Sequence, residues 1–117
     1  MKTMLLTLAA ALLAGGPALA ADGKALYAVR CASCHSVTGK SGPGGPSLRG
    51  VSGRAVASLS DYAYSAGLKA KGGTWTAASL DAYLAAPSRF APGGKMFVSV
   101  PAAADRAALV AYLATLK

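Results

Sequence analysis

Glutamate and isoleucine are absent from this 117-residue chain, histidine and tryptophan occur once each, and cysteine occurs twice. Two cysteines close at most one disulfide, which excludes a scaffold stapled by several bridges. With isoleucine missing and valine scattered, no stretch reads as a convincing strand. Only four carboxylates, all aspartates, oppose twelve Lys and Arg, for a formal net charge of +8. A surface this basic favours an acidic partner, a phosphate backbone or an anionic membrane. The cations are spread along the chain with no arginine-rich arm, so nucleic acid is not an expected partner. No repeat, linker or second domain is visible, and the length suits one domain.

Residues 1–20 read as a secretory signal peptide. Lys2 supplies a positive start, Met4 to Ala14 is an apolar run, and Ala18-Leu19-Ala20 fits a small-x-small cleavage site. The run is shorter than the ~20 residues of a spanning helix, so no stable membrane insertion is expected after cleavage. No twin arginine precedes it. The expected mature domain is 21–117, exported across the inner membrane to the periplasm. Cleavage removes Met1 and Met4, leaving Met96 as the sole methionine beside the sole histidine, His35, and the pair Cys31 and Cys34.

Four helical patterns follow, and the expected fold class is all-α with long loops. Asp22 can cap a first helix through about Arg30. Ser58 or Ser60 can cap a second through Tyr62, Tyr64 and Leu68, ended by Gly72-Gly73. Thr76 can cap a third, which holds Leu80, Tyr83 and Leu84 and stops before Pro87. A last helix is expected from about Ala102 to Leu116, where Leu109, Val110, Leu113 and Leu116 recur at spacings of three and four. The Gly/Pro/Ser-rich stretch from about Thr38 to Gly53 is loop and adds little apolar burial. A domain of this size buries only a modest core, which leaves room for a further component.

Residues 31–35 read CASCH. A dithiol redox pair of the thioredoxin type needs strands around it and cysteines at a helix start; here strands are missing and the cysteines follow a helix end. A structural zinc site needs four ligands, and beyond Cys31, Cys34 and His35 the mature chain has no good fourth. C-x-x-C-H is the signature of covalent c-type haem attachment. Two intervening residues let both sulfurs reach the vinyl groups along one porphyrin edge, and the next residue, His35, can turn under the ring to the iron. Export agrees, since attachment consumes thiols that would otherwise oxidise there.

The ordered series GKALYAVRCASCH, GPSLRGVSGR, DYAYSAGLK, GGTWTAASLDAYLAAPSRFAPGGKM and LVAYLATLK resembles the small monohaem class I cytochromes c of mitochondria and bacteria over nearly all of residues 21–117. The resemblance implies a cytochrome c fold of about four helices around one covalent haem c, with His35 and Met96, in PGGKM, as the two iron ligands. It implies that the Pro46 carbonyl accepts the ring proton of His35. It also implies that Tyr64 and Trp75 hydrogen-bond the haem propionates, that Arg54 offsets their charge, and that Tyr83 lies near the methionine sulfur. Gly23 and Tyr27 match the first helix where it crosses the last. Three departures stand out: the loop from His35 to Pro46 is one residue shorter than in the mitochondrial form, Leu68 replaces a polar asparagine, and Val98 replaces an aromatic.

The function implied is one-electron transfer rather than catalysis, by a monomer that meets acidic redox-partner proteins transiently. Lys24, Lys40, Lys69, Lys71, Arg89 and Lys95 are candidates for a positive ring around an exposed haem edge. The rivals are a cytochrome subunit dedicated to accepting electrons from one periplasmic dehydrogenase, and a haem sensor or peroxidase with an open iron position.

Overall fold

The computed structural model describes residues 22–117. The expected signal peptide therefore lies outside the described residues. Five helices follow in order: α1 (Gly23–Arg30), α2 (Ala66–Lys71), α3 (Ala77–Ala85), α4 (Pro87–Phe90) and α5 (Ala103–Ala114). Among the described residues there is no strand, only an isolated antiparallel bridge between Ala55 and Thr74. The all-α class holds.

Local chemistry sets the best-defined ends. The Asp22 carboxylate accepts from the backbone N–H groups of Lys24 and Ala25 at 3.0 and 3.3 Å, satisfying donors that the first turn leaves unpaired. Thr76 and Ser79 form a reciprocal capping box at the start of α3. Two expectations need correction. The second helix starts at Ala66 with Ser65 as its cap, not at Ser58 or Ser60, and Tyr62 and Tyr64 precede it. The backbone there is committed elsewhere: Leu59 N–H donates to the Tyr64 hydroxyl at 3.3 Å, and the Ala63 carbonyl accepts from Lys95 Nζ at 2.6 Å. A short extra helix, α4, also follows α3. Pro87 ends one helix and opens the next, because at the first helical position its missing N–H costs nothing.

α5 is the organising element, packed against both α1 and α3, while α4 packs on α3. At the α1–α5 crossing the Tyr27 and Tyr112 rings lie 5.5 Å apart, and Leu109 is buried beneath. A Cβ on Gly23 would fall 2.2 Å from the Ala108 carbonyl oxygen, so the crossing is closed to any side chain. Two clusters of buried residues form the interior: Tyr27, Leu84, Val100 and Leu109, then Val51, Trp75, Leu80 and Leu113.

Arg106 ties α5 to its surroundings. Its Nε pairs with Asp81 of α3 at 2.8 Å, and its Nη1 donates to the carbonyls of Val100 and Pro101 at 3.0 and 2.8 Å. α5 has no side-chain cap of its own, yet the segment leading into it is held.

Gly23→Val is expected to force α1 away from α5 and to cost about 1–3 kcal/mol, the usual range for overpacking. A lowered denaturant midpoint at unchanged slope is the measurement.

Candidate functional site

One cavity of about 300 Å³ opens into the interior, and members of both buried clusters form its wall. Cys31, Cys34, His35, Pro46, Arg54, Tyr64, Trp75, Tyr83 and Met96, the nine residues singled out from the sequence, all line it. So do Leu48, Val51, Leu68, Leu80, Leu84, Val100, Leu109 and Leu113. For Leu68, Leu80, Leu84, Leu109 and Leu113 the signal in the sequence was helical periodicity, which marks a buried face but does not say whether it meets protein or a ligand; Leu48, Val51 and Val100 lie outside the helices and carry no such signal.

Cys31 caps the C-terminal end of α1, and the backbone N–H groups of Cys34 and His35 both donate to its carbonyl, at 3.1 and 3.0 Å. This tight turn brings the two cysteines and the histidine to the cavity wall. Both thiols are free; Cys31 is half-buried and Cys34 exposed. Burial pushes the Cys31 thiol above its ordinary range, Arg30 opposes that, and Cys34 adds to it. The Tyr27 hydroxyl donates to the His35 carbonyl at 3.1 Å, linking the turn to the α1–α5 crossing.

His35 Nδ1 lies 2.7 Å from the Pro46 carbonyl oxygen. A carbonyl only accepts, so Nδ1 carries the proton and Nε2 is left with its lone pair. Burial holds the imidazole below its ordinary pKa, and the Pro46 bond partly offsets this. The ring is therefore presented neutral, as a metal requires.

The glycines of the loop, read from the sequence only as loop-formers, have a steric role there. A Cβ on Gly45 would lie 2.6 Å from His35 Cε1, one on Gly42 2.3 Å from the Cys34 carbonyl oxygen, and one on Gly44 3.1 Å from Cys34 Sγ. The loop lies directly on the CASCH turn. The string GPGGP was the available signal, but close approach is a tertiary fact that composition does not state.

Met96 sits in a segment pinned on both sides. Lys95 Nζ bonds the Ala63 carbonyl and lies 5.7 Å from the centre of the Tyr62 ring, while Val100 N–H donates to the Leu84 carbonyl at 2.8 Å. Beyond Met96, Phe97 is 85% exposed and Val98 48%, both at the cavity's edge. Trp75, Tyr83 and Phe90 form a triangle of rings 5.2–5.6 Å apart, with Lys71 Nζ 4.3 Å from the centre of Phe90. Burial raises the Tyr83 hydroxyl above its usual range, with Tyr62 adding to it.

Arg54 donates from Nη1 to the Arg49 carbonyl (3.0 Å) and from Nη2 to the Ser47 carbonyl (2.9 Å). Its Nε is buried and has no partner among the described residues. A buried donor left unpaired costs about 1–3 kcal/mol, so an acceptor belongs there. The basic residues divide differently from the ring read in the sequence: Lys95 lines the cavity, joined by Arg30, whereas Lys24 borders a shallow groove between α1 and α5.

Comparison with known proteins bears directly on this cavity. The family model described as "Cytochrome c" matches residues 20–117. The chain belongs to the cytochrome c family. It is 48% identical over 87 residues to a protein of Rhodobacter capsulatus named "Cytochrome c-type cyt cy", covering 74% of this chain but only 43% of that protein. To the Caenorhabditis elegans protein "Cytochrome c 2.1" it is 41% identical, over 78% of this chain and 83% of the relative. Among solved structures, cytochrome cH from Methylobacterium extorquens superposes with a TM-score of 0.74 at 38% identity, covering 82% of this chain and 97% of that one.

Membership in the cytochrome c family brings one covalently bound c-type haem with its iron, and an electron-carrier function. The residues present fit that group. The wall is apolar, as a porphyrin face requires; the sole imidazole presents an unprotonated nitrogen; and Arg54 Nε awaits an acceptor such as a carboxylate.

The glycine loop is tied to the segment before α2 by Asp61, whose two oxygens accept from Ser41 N–H (2.8 Å) and the Ser41 hydroxyl (2.7 Å). These bonds hold the Asp61 carboxyl below its ordinary value of 3.8. A depressed folded pKa contributes stability above the unfolded value and loses it as pH falls through the folded one. Denaturant midpoints followed from neutral pH into the acid range below 3.8 should therefore fall less steeply in Asp61→Asn than in the wild type.

Proposed function

We propose that this cytochrome c is a one-electron carrier of the periplasm, exported by residues 1–20, with the haem held by thioether bonds to Cys31 and Cys34 and the iron ligated by His35 Nε2 and Met96 Sδ. The observation that carries this reading is the convergence of the two free thiols, the oriented imidazole and the pinned Met96 segment on one apolar cavity. The iron supplies an Fe(III)/Fe(II) couple. Everything else falls to the chain.

A thioether is soft and neutral, so Met96 favours the ferrous ion and raises the potential. The Pro46 carbonyl works in the opposite direction, since a hydrogen bond at Nδ1 raises the basicity of Nε2. Leu80, Leu84, Val100, Leu109 and Leu113 keep water from the cavity and disfavour the extra positive charge of the ferric state. With His35 and Met96 holding the iron, no position would be left for a substrate, and the Pro46 bond and the pinned Met96 segment would keep rearrangement small when the iron changes oxidation state. Tyr64, Trp75 and Arg54 are assigned to the propionates, and Tyr83 to the surroundings of the sulfur.

Partner encounter is assigned to the cavity's rim, where exposed Phe97 and Val98 are bordered by Arg30 and Lys95. Lys40, Lys69 and Arg89 lie exposed elsewhere and add long-range field. The partners are acidic redox proteins, met transiently by a monomer. Among the described residues no helix is long and apolar enough to cross a membrane.

Protein matured with its haem-attachment machinery should weigh one haem more than the polypeptide and show a sulfur-ligated, low-spin visible spectrum. Met96→Ala should lower the reduction potential and let the reduced protein bind carbon monoxide; a mutant identical to wild type in both removes Met96 as ligand. Second-order electron-transfer rates with an acidic partner should fall as ionic strength rises. Rates that stay flat remove the charged rim from the mechanism.

A further inference from the structure

The bond that orients His35 does not end at Pro46. The peptide that joins Pro46 to Ser47 accepts at one end from His35 Nδ1 (2.7 Å) and donates at the other, from Ser47 N–H to the Ser41 hydroxyl oxygen (3.1 Å). That hydroxyl donates in turn to Asp61 Oδ1 at 2.7 Å. Every donor in the series points the same way, outward from the imidazole to the carboxylate.

We propose that Asp61 is a positioning residue that tunes the axial imidazole from the surface, through the Ser41 hydroxyl and the Pro46–Ser47 peptide. The inference rests on His35 being an iron ligand. Resonance couples the carbonyl and N–H ends of a peptide unit, so polarising one polarises the other. Hydrogen bonds in series strengthen one another in a medium of low dielectric. The middle of this series is sheltered: Ser47 is 3% exposed and Ser41 half-buried, while Asp61 meets solvent. Negative charge at the outer end therefore draws the Nδ1 proton toward Pro46 and makes Nε2 a stronger donor. The ferric state gains most, and the potential is held lower than the imidazole and thioether alone would set it.

The geometry separates this relay from a simple loop tether. Asp61 Oδ2 also accepts from the Ser41 backbone N–H at 2.8 Å, a contact that needs no hydroxyl. Ser41→Ala thus keeps the tether and the surface charge while cutting the relay. A purely through-space effect of Asp61, screened by salt, would ignore that change.

The test compares holoprotein of the wild type, Ser41→Ala, Ser41→Thr, Asp61→Asn and the double variant Ser41→Ala/Asp61→Asn. Reduction potentials and the His35 Nδ1–H proton resonance are measured at low and high salt. Expected are an upward shift of potential and a displaced resonance in Ser41→Ala and in Asp61→Asn. The double variant should shift no further than the larger single, and Ser41→Thr, which keeps a hydroxyl, should stay near wild type. An unmoved potential and resonance in Ser41→Ala, with sulfur-ligated haem intact in the spectrum, overturns the relay alone; so do single shifts that add in the double variant. A wild-type spectrum without a ligated histidine overturns the ligation reading, and the relay with it.

Discussion

The contact on which this structure turns is the hydrogen bond between His35 Nδ1 and the Pro46 carbonyl. An imidazole offers two nitrogens and two tautomers, and a ligand must present one nitrogen, unprotonated, in one direction. The Pro46 carbonyl selects the tautomer and stops the ring from turning. Its position demands that the chain double back onto the CASCH turn within eleven residues. Side chains at 42, 44 and 45 would hold the backbone off, so glycines occupy all three. What reads as a flexible stretch is a close-fitting bracket.

The interior shows the same priority. In a self-sufficient small domain the most buried side chains face one another. Here Leu109 and Val100, the largest fully buried side chains, both reach the cavity wall, and each buried cluster contributes several of its members to it. Helices α3 and α5 turn Leu80, Leu84, Leu109 and Leu113 to the cavity, while α1 is held to α5 by the Gly23 and Tyr27 contacts. On the proposed ligation the haem would be a structural component of this core as well as the redox centre. The same apolar wall would then make the added charge of the ferric ion unfavourable.

Much of this was legible in the residues. CASCH names the haem chemistry that membership in the family brings, and Asp22 and Thr76 cap helices where short-range rules put them. The failures have physical causes. Ser65 displaces Ser58 and Ser60 as a cap because Lys95, thirty-two residues away, engages the Ala63 carbonyl and Tyr64 holds Leu59. Pro87 reads as a stop, but a proline at the end of one helix can also begin another. Lys95, a candidate for the positive ring, also anchors the Met96 segment through the Ala63 carbonyl, a contact the sequence does not show. The misplaced cap came from applying a local rule where long-range bonds decide, and the missed helix from giving Pro87 one local role where it has two.

The scarcity of acid has a structural explanation as well. All four aspartates are engaged in local work: Asp22 caps α1, Asp61 grips Ser41, Asp81 pairs with Arg106, and Asp105 stands in the first turn of α5, where the helix dipole favours a negative charge. No carboxylate remains to balance the other cations. Arg106 is neutralised by its partner and Arg54 is turned inward, but Arg30, Lys40, Lys69 and Arg89 face solvent uncompensated. A chain that keeps negative charge only where the fold requires it presents a positive field nearly everywhere else. Such a field would draw an acidic partner of the kind proposed from a distance without fixing a tight complex, as a carrier that must both dock and leave requires.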